Sequence, residues 1–197
     1  MIHSIQCRCG RLKGTLRHTK DINRCLCYCT DCQAFAHFLK RETVILDDSG
    51  GSDIIQTLPR HVTFIEDLDY LACMRLTPKG LLRWYTTCCN TAIGNTLSNF
   101  KLSFVGLIDD CLAVEQGSLD EAFGPVGMHV HTRHARGNPK PTANGLLGGY
   151  WRLGRMMLKA RLNGDYRKNP FFSVTGTPID TPVVLDVQEL RDIKRQL

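Results

Sequence analysis

The sequence predicts a mainly β fold with one short helix after a run of thiols and a helical extension at the C-terminal end. Three observations predict it. Up to about residue 123, short apolar or alternating runs are separated by glycine- and proline-bearing turns. In residues 25 to 39, Cys-Leu-Cys-Tyr-Cys-Thr-Asp-Cys-Gln-Ala-Phe-Ala-His-Phe-Leu, a period of two gives way to helical spacing at Phe35, Phe38 and Leu39. Residues 146 to 163 carry an amphipathic pattern, with Leu147, Tyr150, Trp151, Gly154, Met157, Leu158 and Leu162 near one stripe and Arg152, Arg155 and Lys159 off it.

Residues 4 to 17 read as a hairpin bent at Gly10. Cys7 and Cys9 are two apart, so on a strand they share a face, and a tight bend could bring both sulfurs to one ion. Residues 22 to 29 form the next strand. Thr30 and Gln33 match the S/T-x-x-E/Q capping box, which places a helix N-terminus at Cys32. Free N–H groups and the helix dipole there favour a thiolate. Four strands follow at 53 to 58, 61 to 66, 70 to 76 and 81 to 87. Thr77-Pro78-Lys79-Gly80 turns between the last two, which deliver Cys88 and Cys89 at the far end. A further strand is expected at 101 to 108.

The character changes after Gly124, so the chain reads as residues 1–123 and a second region, 124–197, packed on it. Residues 128 to 142 are basic and histidine-rich, as in an exposed loop. The 146 to 163 helix is expected to pack into the core, its basic flank leaving membrane or nucleic-acid binding as the alternative. A short strand or helix is expected at 183 to 193.

The net charge of +6 permits anionic partners without demanding them. No apolar run is long enough to span a bilayer, and Met-Ile-His-Ser-Ile-Gln-Cys lacks the apolar core of a signal peptide. A cytoplasmic location and no membrane partner are therefore expected. Ten cysteines in such a compartment suit a metal better than disulfides. Seven of them fall in three clusters, Cys7/Cys9, Cys27/Cys29/Cys32 and Cys88/Cys89, which divide into a set of four and a set of three. Four thiolates around zinc close a structural site; three leave one position for water or substrate. Cys25 would lie roughly 13 Å from Cys29 on a straight strand, too far to share its zinc. Cys25, Cys73 and Cys111 read as buried side chains. His37 or a distant residue could close the three-thiol set. In His129-Val130-His131-Thr132-Arg133-His134, solvation is favoured over metal ligation.

The pattern C-x-C-G, then C-x-C-x-x-C, then a cysteine cluster after the Arg83-Trp84-Tyr85 strand end resembles the glutathione-dependent formaldehyde-activating enzyme family, which includes the centromere protein V type of domain. The resemblance covers roughly residues 5 to 110. It implies a β-tent fold holding two zinc ions and a carbon–sulfur lyase acting on a glutathione-type thiol adduct. It also implies a catalytic zinc on Cys27, Cys29 and Cys32, and a structural zinc with Cys7 and Cys9 as half of its ligands. The other half is normally C-x-x-C. Here Thr86 stands in place of the first cysteine, Cys89 matches the second, and Asn90 replaces the usual following glycine. Cys88 supplies the fourth ligand only if the chain turns between neighbours that would otherwise face opposite ways; Cys73 is the reserve. The alternative function is a non-catalytic zinc domain whose basic C-terminal part binds a partner such as nucleic acid.

Overall fold

The alternation of the first residues produces the expected hairpin. In the computed structural model, which describes residues 1–197 apart from 18–21, 114–117 and 139, strand β1 (Ile2–Gln6) pairs antiparallel with β2 (Lys13–Arg17). Gly10 turns the chain with φ +76°, and Ile5, Leu12 and Leu16 enter the core. The chain continues through β3 (Asn23–Cys27), α1 (Thr30–Phe38), the one-turn α2 (Glu42–Ile45), β4 (Ser52–Thr57), β5 (Val62–Glu66), β6 (Leu71–Arg75) and β7 (Leu82–Thr86). After these come β8 (Ala92–Thr96), β9 (Val105–Ile108), β10 (Leu112–Ala113), α3 (Leu119–Phe123), β11 (Met128–Val130), α4 (Leu146–Leu162), β12 (Val183–Val184) and α5 (Val187–Lys194).

The strands form two sheets, so the protein is mainly β. One sheet runs β10-β1-β2-β5 and the other β11-β3-β4-β9-β8-β7-β6-β12. Only the edge pairs β11·β3 and β12·β6 are parallel among the described strands. Both edges of the larger sheet therefore come from the region after residue 124. That region also sends Phe171 and Phe172 into the main core, where Phe171 lies 5.1 Å from the buried Trp84 ring. No helix among the described residues is long and apolar enough to cross a membrane.

Four features outside the cysteine clusters differ from the sequence expectations. Strand β8 is absent from them because Gly94 and Asn95 break the apolar pattern, yet all five of its residues are buried. Gly94 lets β9 approach: a Cβ there would stand 2.6 Å from the Gly106 carbonyl oxygen. The strand expected at 101 to 108 shortens to Val105–Ile108. The basic stretch at 128 to 142, of which residue 139 lies outside the described residues, is not wholly a loop. Met128 and Val130 are buried as β11 pairs with β3.

The fourth difference concerns α4. Its bounds match the sequence pattern, but its packing face does not. Gly149, Met156 and Ala160 are buried, with Met156 and Ala160 packed on Leu58 and Leu153 beside them. Leu147 and Trp151, from the stripe expected to be core, are 87% and 67% exposed. Close approach explains the inversion. A Cβ at position 149 would stand 1.8 Å from Met128 Sδ, so small side chains, and not the largest apolar ones, define the inner face.

Candidate metal centres

The first cluster is assembled by two bends. After β1, Gly10 N–H donates to the Cys7 carbonyl (2.8 Å), and Leu12 N–H donates to Cys7 Sγ (3.2 Å). After β7, Asn90 adopts φ +54° and its N–H donates to the Thr86 carbonyl (2.9 Å). This turn swings Cys88 and Cys89 to the same side, the condition that strand geometry alone forbids. Cys9 and Cys88 sulfurs lie 3.3 Å apart, Cys7 and Cys9 3.5 Å, and Cys7 and Cys88 3.7 Å. All four sulfurs fall within 4.8 Å of one another. A tetrahedron of sulfurs about 2.3 Å from a central ion has edges of about 3.8 Å, so the cluster could close around a metal with little movement. Thr86 is not in the cluster. Its hydroxyl lies 3.5 Å from Cys89 Sγ and accepts from Thr91 N–H at 3.2 Å.

The second cluster sits where β3 passes into α1. Cys27, Cys29 and Cys32 bring their sulfurs within 4.8 Å, with Cys27 and Cys32 at 3.7 Å. The helix begins earlier than the capping-box reading places it. Cys29 is the N-cap, and its sulfur accepts from Cys32 N–H at 3.3 Å. Gln33 instead donates to the carbonyls of Tyr28 (2.9 Å) and His134 (3.2 Å), tying the helix to the segment after β11. Hydrogen bonding from Cys27, and from the capped Cys32 N–H, lowers the Cys29 thiol, but its neighbour Cys32 and burial outweigh both and leave it above the ordinary thiol range.

Protons distribute unevenly in both clusters. Hydrogen bonds from Cys27 and Cys29, with the Arg83 guanidinium alongside, hold Cys32 well below the ordinary thiol range despite its burial. Hydrogen bonding to Cys29 and Cys32, then burial, pushes Cys27 up. In the first cluster burial raises Cys89, but hydrogen bonds from Thr86, Thr91 and Cys9 outweigh it and bring the group down to about 5. Burial, followed by the neighbouring Cys9, pushes Cys88 up to about 12. Each set thus presents one thiol poised to ionise, the form that binds metal.

A cavity of ≈ 240 Å³ opens onto the second cluster, lined by its three cysteines together with Gln56, Arg83, Asn95, Phe104, His131 and Tyr150 among others. No fourth His, Cys, Asp or Glu joins the three sulfurs among the described residues. His37, a sequence candidate for that place, is outside the set, its Nε2 buried without a hydrogen-bond partner. Cys25 lines the cavity without joining the cluster. Cys73 is buried in β6, where burial pushes its thiol to about 12, and Cys111 bonds the Ile93 and Ile108 carbonyls. The three loop histidines form no metal set among the described residues either: His129 faces the Tyr28 hydroxyl at 3.4 Å, and His134 accepts from Arg133 Nε at 2.9 Å.

Arg83 escaped the sequence reading as a site residue, although its place between Leu82 and Trp84 in a strand was a signal. A cation on an apolar strand needs a partner. It is buried, donates to Asn95 Oδ1 at 3.0 Å and lies 5.3 Å over the Phe35 ring. His131 and Tyr150 reach the cavity only through the β11 pairing and the α4 docking, which no local pattern announces.

Fold and site together define a mainly β protein with two cysteine clusters that could hold metal ions, one of four sulfurs and one of three beside a cavity. The chain belongs to a family of unknown function (DUF6151), whose pattern it matches over residues 1–181. No curated protein matches it.

Proposed function

We propose that the protein is a zinc-dependent carbon–sulfur lyase acting on a glutathione-type thiol adduct. In this reading Cys27, Cys29 and Cys32 form the reactive site, and Cys7, Cys9, Cys88 and Cys89 a closed structural one. The observation that carries it is the three-sulfur cluster facing a cavity, with no fourth protein ligand among the described residues. The all-sulfur donor sets suit zinc, a borderline-soft ion that thiolates bind tetrahedrally. The cysteine spacing supports kinship with the glutathione-dependent formaldehyde-activating enzymes, and the two-sheet arrangement is read as their β-tent. A cytoplasmic setting would keep these thiols reduced.

When bound, zinc supplies a Lewis acid that lowers the pKa of a substrate thiol. Three thiolates and a divalent ion sum to about −1, which favours soft thiol exchange over hydrolysis. The Arg83 guanidinium offsets that charge beside Cys32. Gln56 and Asn95 offer amide groups for orienting a peptide-like thiol in the cavity. In the cleavage direction the carbon–sulfur bond of a hydroxymethyl thioether breaks and its electron pair stays on sulfur. The hydroxyl proton leaves as the carbonyl forms, and His131 on the cavity wall is placed to take it.

The test is turnover of the glutathione–formaldehyde adduct by zinc-loaded protein. Activity abolished by Cys32→Ser but retained by Cys25→Ser is expected. Equal activity in Cys32→Ser and the parent would overturn the assignment, as would absence of turnover with both clusters loaded.

A further inference from the structure

We propose that the outward face of α4 docks the protein on the surface of an anionic lipid bilayer. The expectation of no membrane partner rested on the lack of a spanning segment, and a helix lying in the interface needs none. The solvent side of α4 carries Leu147, Trp151, Leu158 and Leu162 at i, i+4, i+11 and i+15, all exposed. They form a single stripe along the helix. Arg152, Arg155, Lys159 and Arg161 border it, and Arg155 lies 5.3 Å over the Trp151 ring. The sequence holds no aspartate or glutamate between Glu121 and Asp165, so no anion in that stretch opposes these charges.

Charge and shape together select the occupant. Nucleic acid would use the cations but leave the leucine stripe in water. A second copy of this helix would cover the leucines but set like charges against each other. An anionic bilayer takes both, with the leucines below the headgroups, Trp151 at their level and the cations against the phosphates. Tyr150, on the same helix, lines the thiol cavity, so docking would bring the cavity mouth near the membrane surface. This inference stands whether or not the cysteine cluster turns over a substrate.

The test uses the full metal-loaded chain and vesicles of phosphatidylcholine with or without phosphatidylserine, read by co-sedimentation and tryptophan emission. Trp84 is buried, so a blue shift on binding reports Trp151. Binding to the serine-lipid vesicles that weakens with salt is expected. Leu158→Ser should weaken it about tenfold, and Arg155→Gln about fivefold. Both positions are exposed, and an unchanged unfolding midpoint verifies the fold; Leu162→Ser is the second apolar variant should Leu158→Ser shift it. Absence of binding overturns the proposal, as does binding that ignores the leucine substitutions. So does a dimer that Leu158→Glu dissociates, or oligonucleotide binding tighter than vesicle binding.

Discussion

The Thr86 hydroxyl lies 3.5 Å from the Cys89 sulfur, bonded to it and not replacing it as a ligand. The turn at Asn90 brings Cys88 into the fourth place of the cluster, so Thr86 is not needed as a ligand. Thr86 then serves to hold Cys89 ionised, at about 5, together with Thr91 and Cys9 and against the opposing effect of burial. Thr86→Val should raise the pH at which Cys89 is alkylated in chelator-treated protein, whereas Thr86→Ser should leave it near the parent. Mass-spectrometric labelling across a pH series measures this.

The two clusters should differ in how they hold metal. We expect two ions per chain by elemental analysis, one lost in Cys32→Ser and the other in Cys88→Ser. The four-sulfur site joins the N-terminal hairpin to the β7–β8 turn, contacts distant in sequence, so its loss should destabilise the fold by several kcal/mol. Loss of the three-sulfur site should cost less, since β3 and α1 are adjacent in the chain. Thermal unfolding of the two variants compares them. Equal destabilisation would remove the distinction between a structural and a reactive centre.

Arg83 should tune the second centre without ligating it. Its guanidinium lies beside Cys32 and is fixed by Asn95 and the Phe35 ring. Arg83→Met should weaken metal binding at that cluster by 10- to 100-fold, the usual scale for outer-shell partners. Arg83→Lys should recover part of it. Competition with a chromophoric chelator reads the change, and the first cluster serves as internal reference.

Much of this arrangement was legible because spacing encodes it. C-x-C before Gly10 requires a shared face and a bend, and C-x-C-x-x-C at a strand-to-helix change requires convergence. Cys25 was excluded on length alone, and it does not join the cluster. What stayed hidden depends on backbone or on size. Cys88 joins through a positive φ at Asn90, which a sequence shows only faintly. The helix start moved because a cysteine sulfur, not the Thr30 hydroxyl, caps it. The outward turn of α4 was invisible because Gly149 and Ala160 set the packing distance, whereas amphipathic patterning weighs only hydrophobicity.

Gly94 should be intolerant of any side chain. Strands β8 and β9 approach so closely there that a Cβ would meet the Gly106 carbonyl oxygen at 2.6 Å and the Leu107 Cα at 3.2 Å, both backbone atoms. Neither can step aside without opening the centre of the larger sheet. Gly94→Ala should cost about 1–3 kcal/mol, the range for overpacking, even though alanine is less flexible in the unfolded chain. Denaturant unfolding at fixed zinc measures it, and an unchanged midpoint would mean the two strands separate more readily than their burial implies.

Asp109 should make the protein less stable as pH rises through the mildly acidic range. Burial, then the charges of Asp53 and Asp110, lift its carboxyl from 3.8 to about 7, and one of its oxygens is buried without a hydrogen-bond partner. Below about pH 4 the folded and unfolded chains both hold the proton, so ionisation carries no penalty. Between there and about 7 the unfolded carboxylate ionises while the folded one does not, and the lost stability grows with each step in pH. Above 7 the deficit stays constant. Asp109→Asn removes the ionisable group, so it should raise stability by roughly 3–4 kcal/mol at pH 8 and by less than half of that at pH 5. Equilibrium unfolding of parent and variant at the two pH values, with zinc saturating at both, gives the comparison. An Asn effect that is the same at both values would show that Asp109 ionises normally in the fold.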